Sequence, residues 1–342
     1  MKKLSFFNKL VFIVNIVFGL FLLLTCLNSY LTTNILSPLY ILSLFVPILF
    51  LINVFFCLYW ILKRKKHFFL SFLSLSIGYF VFGLFYKINN VNGKVEFNNV
   101  LKVISYNSQG FNIYEHIDGN NIGDKIVSFI NSENADVVCF QEVNYWYLKK
   151  FDSYPYKYRS SESGSGKAKL AILSKYPIIR NVSMSFPNTG NDAVYADIAY
   201  KKDTIRIYNL HLQSYKIVPS SKTFTEKESE RTLKKMVKTF DKQLEQAKII
   251  RKHKESSPYK TLVCGDFNNT QFSNIYRIVK GDYQDSFIEE GKGFGRTYDL
   301  KGLPMRIDYI MADDSFEILE HQNYDVKLSD HYPIKGILKI KD

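Results

Sequence analysis

The residues with chemistry to offer stand at the ends of apolar runs. Asn107 follows VISY, Glu142 follows VVCFQ and His211 lies in YNLHL. Asp266 and Asn268 lie in GDFNN, and Asp330 with His331 in SDHYPI. Strands that end in carboxylates or amides present them at one rim of a sheet, where they can converge. Taken singly, each has a plainer reading. Asn107 could be a turn former, Glu142 an exposed strand end and His211 a satisfied core histidine; Asp266 and Asn268 could form an Asx-turn, and Asp330-His331 a turn before Pro333. Together they make a set rich in oxygen donors and free of cysteine. Such a set suits a hard divalent cation, Mg²⁺ with Mn²⁺ as a substitute. The four cysteines, Cys26, Cys57, Cys139 and Cys264, have no CxxC spacing and read as buried free thiols, not a zinc site.

The elements that must position these groups can be read from Val100 onward. Runs of four to six apolar residues (VLKVISY, ADVVCF, KLAILS, AVYADIAY, TIRIYNL, TLVCGD, MRIDYIM) alternate with turn signals. Helical periodicity is clear in Gly123–Ser132 and again in Glu226–Lys254. Many strands and a few helices over this length predict an α/β sandwich of two packed sheets. Residues 215–254 read as an insert, a loop followed by a strongly charged helix whose charges mark a solvated face, with substrate or headgroup contact as the sharper alternative.

The first 87 residues are of another kind. They hold eight Lys or Arg and no acid, so the net +13 belongs largely to this segment, and the remaining 37 basic and 32 acidic residues leave the rest near +5. Basicity therefore does not argue for a nucleic-acid partner. Three uncharged stretches, Leu10–Leu31, Pro38–Leu62 and Phe68–Tyr86, predict a three-span transmembrane helical module, since roughly 20 residues cross the hydrocarbon layer. Each exceeds the apolar core of a cleaved signal peptide. Pro47 is expected to kink the second span. Lys2, Lys3 and Lys9 precede the first span and Lys63-Arg64-Lys65-Lys66 separate the second from the third, which places both segments in the cytoplasm and everything after Lys87 outside it. The expected organisation is a membrane module over 1–87, a polar linker over 88–99 and a catalytic domain over 100–342. No obligate protein partner is evident.

The order ISYN, FQE, LSKYPI, YNLHLQS, CGDFNNT, RIDYI and SDHYPI resembles the successive signatures of the endonuclease/exonuclease/phosphatase superfamily, over about Val100 to Ile340. The resemblance implies the deoxyribonuclease-like fold, a four-layer sandwich of two packed mixed β-sheets flanked by helices. It implies Glu142 as the main metal ligand, helped by Asn107, with Asp330 a further carboxylate on the metal side. Asp266 and Asn268 match the pair that orients and deprotonates the attacking water. His331 matches the histidine at the scissile phosphate, with Asp308 of RIDY as its partner, and His211 the second histidine there. The segment GKGFGRTYDLKGLPMRIDYI is similar to membrane-tethered bacterial members, with Thr297 and Arg306 as supporting residues. Base-repair endonucleases of the superfamily carry Asp two residues after the first-motif Asn; Gln109 stands there, which argues against a repair nuclease.

The implied activity is a Mg²⁺-dependent phosphoester hydrolase, nuclease-like, with its catalytic domain outside the cytoplasmic membrane. Its substrate could equally be a phospholipid headgroup or another phosphometabolite. A catalytically inactive, membrane-displayed binding module is the reading from another class. It has no need of Glu142, Asp266, Asn268, Asp308, Asp330 and His331 together.

Overall fold

The computed structural model describes residues 4–33, 37–88, 98–160, 169–215, 226–300 and 302–341. Most of the expected linker over 88–99 and the loop opening the insert lie outside the described residues. The chain divides into two compact units. One comprises Met1–Phe85, Tyr215–Glu245 and Asn269–Ile278; the other comprises Tyr86–Ser214, Gln246–Asn268 and Val279–Asp342.

In the second unit the apolar runs become two six-stranded sheets. The first sheet is built from β1 (Leu101–Asn107), β2 (Val137–Gln141), β3 (Tyr156–Arg159), β4 (Ala171–Ser174), β13 (Phe316–Asn323) and β14 (Ile334–Ile340), in the order β13-β14-β1-β2-β4-β3. The second sheet holds β5 (Ile178–Ser183), β6 (Asp192–Tyr200), β7 (Asp203–His211), β8 (Lys260–Asp266), β9 (Gln284–Asp285) and β12 (Asp308–Ala312), in the order β5-β6-β7-β8-β12-β9. A separate ribbon pairs β10 (Tyr298–Leu300) with β11 (Leu303–Met305). Both sheets are mixed, with one parallel pair each, β1 with β2 and β7 with β8.

The strands read as continuous apolar runs because both of their faces are covered. Val103 of β1, Val137 and Cys139 of β2, and Ile172 of β4 point one way. They meet Val194 and Ala196 of β6, Ile205 and Ile207 of β7, and Leu262 and Cys264 of β8. The alternate residues Ile104, Tyr106, Val138 and Phe140 pack against Ile122, Ile126 and Ile130 of helix α5 (Ile122–Glu133). Each such side chain contributes roughly 1.5–3 kcal/mol when fully buried. Across the second sheet Ala247, Ile250 and Val279 are buried, and the Tyr208 hydroxyl meets His253 Nδ1 at 2.6 Å. This is the expected α/β arrangement of two mixed sheets flanked by helices.

The first unit holds the apolar helices α1 (Phe6–Asn28), α2 (Ser37–Tyr40), α3 (Val46–Leu62) and α4 (Phe68–Phe82). Phe6–Asn28 and Ser37–Leu62 are long and apolar enough to cross a membrane. The third expected span is not: α4 has 15 residues, about 22 Å of rise, and Gly83 at φ +74 ends it before Tyr86. Nor does Pro47 kink a continuous helix. It occupies the first turn of α3, where its missing N–H has no helical partner to lose, after a 3₁₀ turn over Ile41–Phe45. Polar contacts lie between the helices: Asn15 Nδ2 donates to Ser71 Oγ at 2.6 Å, and Trp60 Nε1 to Asn15 Oδ1 at 3.0 Å.

Within this unit the helix ends away from Lys63–Lys66 receive the remaining two segments. Helix α7 (Glu226–Glu255), divided between the units after Glu245, places Phe240 against the Tyr40 ring, while Ser37 Oγ donates to Asp241. Thr270 Oγ1 donates to the Ser43 carbonyl at 3.2 Å, and Asn274 Nδ2 to that of Leu31 at 2.8 Å. Phe272 packs edge-on to Phe82 and Phe85.

One close approach limits the second sheet. At Gly265 φ is +137, and a Cβ there would lie 2.1 Å from the Leu210 carbonyl oxygen on β7. Gly265→Ala should therefore cost at least about 2 kcal/mol of unfolding free energy, because strain and collision act together. Urea unfolding of the variant beside the parent checks it.

Candidate active site

Strand register sets up the site. His211 of β7 pairs with Asp266 of β8, and Asp266 pairs with Asp308 of β12, so three functional side chains stand in one row across adjacent strands. In the facing sheet, Asn107 ends β1 beside Gln141 of β2, and Glu142 follows directly. Glu142 adopts φ +50 and Asn268 φ +49, conformations that L-residues seldom take and that turn both side chains at the strand ends.

The two rows meet at the Asp266 carboxylate. Its Oδ2 accepts from Asn107 Nδ2 at 3.1 Å and from Asn268 Nδ2 at 3.2 Å, and its Oδ1 accepts from the Asn268 N–H at 2.7 Å. His211 Nε2 stands 3.5 Å from Oδ2 and His331 Nε2 3.7 Å from it. His331 Nδ1 bonds Asp308 Oδ2 at 2.9 Å, which fixes the ring and leaves Nε2 facing the site. Glu142 Oε1 lies 3.6 Å from His211 Nε2, and the Glu142 side chain is 42% exposed, the accessible carboxylate of the group. Asp330 Oδ1 accepts from Ser329 Oγ at 3.2 Å.

The sequence-predicted residues are thus gathered, with one exception. Thr297 is fully buried and its Oγ1 accepts from the N–H groups of Ile307 and Asp308 at 3.0 and 3.1 Å, holding the start of β12. Arg306, by contrast, turns its guanidinium to Asp285 at 2.7 Å and packs on the Phe287 and Tyr309 rings. Three participants escaped sequence reasoning. Ser329 donates to the Asn107 carbonyl at 2.8 Å and accepts from the His331 N–H, linking β1 to the SDH turn; its adjacency to Asp330 was the available signal. Tyr298 lies 4.9 Å from the His331 ring, and only its place after Thr297 hinted at this. Gln141 Nε2 donates to Asn209 Oδ1 at 2.7 Å between the two sheets, a contact that no local pattern announces.

Electrostatics follow from burial. Desolvation pushes the Asp266 carboxyl up to about 6, with Asp308 adding and His331 and His211 opposing. Burial works against charge on His331, but Asp308 and Asp266 outweigh it and carry the imidazole up to about 10. Desolvation, then Asp330 and Asp266, hold the Tyr298 phenol above its usual range.

Two groups of donors could take a cation. Atoms of Asp266, Asp308 and His331 lie within 4.8 Å of one another and all are buried, but His331 and Asp308 already share a proton there. A cation would have to displace it. Glu142 and Asn107 offer a carboxylate and an amide oxygen without that competition, and no thiol lies among them. The donor chemistry of this second group fits a hard divalent ion.

Residues 104–331 match the profile of the endonuclease/exonuclease/phosphatase family, and the chain belongs to that family. Residues 8–85 match a separate profile, that of a domain of unknown function. No curated protein matches the chain in sequence. Among solved structures, the chain is similar to a humanized D. rerio TDP2 carrying 14 mutations, with 17% identity, coverage of 71% of this chain and 100% of that one, and a TM-score of 0.54. An endonuclease/exonuclease/phosphatase from Beutenbergia cavernae matches at 15% identity over 71% and 72%, with a TM-score of 0.55. A family protein from Bacteroides thetaiotaomicron matches at 19% over 71% and 98%, with a TM-score of 0.53. Identities this low speak for the fold alone.

The His331 pair has a measurable thermodynamic sign. A histidine whose folded pKa is raised stabilises the fold fully below its unfolded value of about 6.5, and that contribution is lost as pH rises through about 10. His331→Gln should therefore melt below the parent at pH 7, and the gap should close towards pH 10. Melting curves of both proteins across that range test it; a gap that widens with pH contradicts the pairing.

Proposed function

We propose that the chain is a divalent-metal-dependent phosphodiesterase held at a membrane, with its catalytic domain outside the cytoplasm. The observation that carries the chemistry is the Asp266 carboxylate set among Asn107, Asn268, His211 and the His331–Asp308 pair. Phosphoester hydrolysis needs a general base for water, cations where charge develops on the phosphoryl oxygens, and a fixed geometry for both. The arrangement supplies each with a different residue.

In this reading Asn268 and Asp266 hold the attacking water, and Asp266 takes its proton as the new oxygen–phosphorus bond forms and the bond to the leaving oxygen breaks. Asn268 is itself held, since its Nδ2 also donates to the Leu212 carbonyl at 3.0 Å. His331, charged at neutral pH, donates from Nε2 to a phosphoryl oxygen while Asp308 keeps the ring in place. His211 faces the same phosphate from β7. Glu142 and Asn107, with Asp330 on the same side, hold the cation. Magnesium when bound would neutralise charge on the phosphate and the leaving oxygen, and Mn²⁺ would substitute.

Membrane attachment is supported by the two long apolar helices and by the apolar side chains they expose, among them Phe6, Leu10, Leu51 and Phe55. We read residues 1–87 as the anchor, 88–99 as the linker and 100–342 as the catalytic domain. The anchor's cations, Lys9 and Lys63–Lys66, lie at the helix ends opposite those that receive Thr270 and Asn274. Basic ends face the cytoplasm.

Four outcomes test this reading. Turnover of a phosphodiester should vanish on chelation and return with Mg²⁺; full turnover after exhaustive metal removal contradicts it. His331→Ala should lower kcat at least about 10²-fold, and Asp308→Asn less, because the ring survives but loses its orientation. Activity should rise with pH through about 6 as Asp266 ionises and fall near 10 as His331 loses its proton. A profile flat across both values rules out these two roles. For topology, a reporter fused after Lys87 should be active outside the cytoplasm only.

A further inference from the structure

Some cations of the catalytic unit have an acid beside them. Arg206 pairs with Asp197, Lys260 with Asp203, Arg296 with Asp299 and Lys335 with Glu133. Arg159 and Lys169, like many others, have no carboxylate within 4.0 Å among the described residues, and what sets them apart is their shared place beside Glu142. Both stand instead against one ring, the Arg159 guanidinium 4.7 Å and the Lys169 ammonium 4.9 Å from the Tyr145 centroid. The ring is fixed, since its hydroxyl donates to the Ser160 carbonyl at 2.5 Å.

The ladders place this group beside the candidate metal residue. Arg159 of β3 pairs with Ala171 of β4, and Ala171 with Phe140 of β2. Two residues further along, the Val143 N–H donates to the Lys169 carbonyl at 3.0 Å, so Lys169 runs alongside Glu142. Trp146 follows Tyr145 on helix α6 (Tyr145–Leu148); it is 75% exposed, with the Lys149 ammonium 4.8 Å from its ring. Cation–π attraction at exposed sites is worth only about 0.5–1 kcal/mol and does not neutralise charge. Like charges gathered on a neutral ring next to a phosphoester site await an anion.

We propose that Arg159 and Lys169 form a second anion subsite that takes non-scissile phosphates of a single-stranded nucleic acid, with Trp146 as a stacking surface for a base. The inference rests on the phosphodiesterase reading of the neighbouring site. A polynucleotide presents further phosphates and flat bases next to the scissile bond; a phospholipid has one phosphodiester and apolar tails, and would leave two cations and an exposed indole unused.

The test uses the full-length enzyme in detergent with Mg²⁺, on a short single-stranded oligonucleotide and on bis(p-nitrophenyl) phosphate, which carries a single phosphate. The R159Q/K169Q double variant should raise the oligonucleotide KM at least ~10-fold at physiological salt, and the slope of log KM against log salt should fall by about 1.4, the value for two phosphates on a single strand. Trp146→Ala should raise that KM by at least ~5-fold. Turnover of bis(p-nitrophenyl) phosphate should stay unchanged in both variants. Unchanged oligonucleotide KM and salt slope in the double variant, with normal cleavage of the small substrate, overturn the subsite and leave the phosphodiesterase reading standing. A parent enzyme that cleaves phosphatidylglycerol vesicles but not the oligonucleotide also overturns it. Failure of the parent to cleave any of these phosphodiesters sinks the underlying reading instead.

Discussion

A buried carboxylate cannot stand alone. Asp266 lies at the meeting of the two sheets with almost no access to solvent, and an isolated ionised group there would be prohibitively costly. It survives because donors converge on it from both sides: the Asn107 amide from the first sheet, the Asn268 amide and N–H from its own turn, and two imidazoles at longer range. Removing any one of them returns part of the desolvation cost. The ends of β1, β7, β8 and β12 are therefore tied to one another by a charge as well as by the apolar core between them.

That constraint explains local features that would otherwise be liabilities. Gly265 lets β8 come against β7 so that Asp266 stands level with His211. Left-handed backbone at Asn268 and Glu142 is strained for L-residues, yet it turns one side chain back to Asp266 and the other out towards solvent. Thr297 spends its hydroxyl on two backbone N–H groups so that Asp308 begins β12 in register with Asp266. Strained backbone and buried charge of this kind cost stability, and are kept where function needs them.

Much of this was legible in the sequence, and the reason is periodicity. Strands buried on both faces read as unbroken apolar runs, so a polar residue at the end of such a run is conspicuous; Asn107, Glu142, His211 and Asp266 all announced themselves that way. What stayed hidden was non-local. Nothing adjacent to Gln141 or Asn209 says that they bond between sheets, and nothing near Arg306 says that Asp285 takes its guanidinium away from the site. Helix ends were hidden too. Phe68–Tyr86 is uncharged throughout, but hydropathy does not register that Gly83 adopts positive φ and stops the helix. Proline misled for a related reason, since Pro47 is disruptive inside a helix and favourable in its first turn, and composition cannot tell which.

Four acids surround the site, and environment alone divides their work. Asp308 is committed to His331 by a 2.9 Å bond and serves to hold a cationic ring in place. Asp266 shares that neighbourhood but has no such exclusive partner; burial lifts its pKa towards neutrality, which suits the proton-accepting role proposed for it. Glu142 keeps contact with water and so can exchange solvent for a cation without first being uncovered. Asp330 sits next to His331 in the chain but bonds Ser329, whose hydroxyl also reaches the Asn107 carbonyl, so it belongs to the β1 side of the site. Interchanging these positions would preserve composition and charge while destroying the division, because the chemistry resides in how far each carboxylate is removed from water and in what stands opposite it.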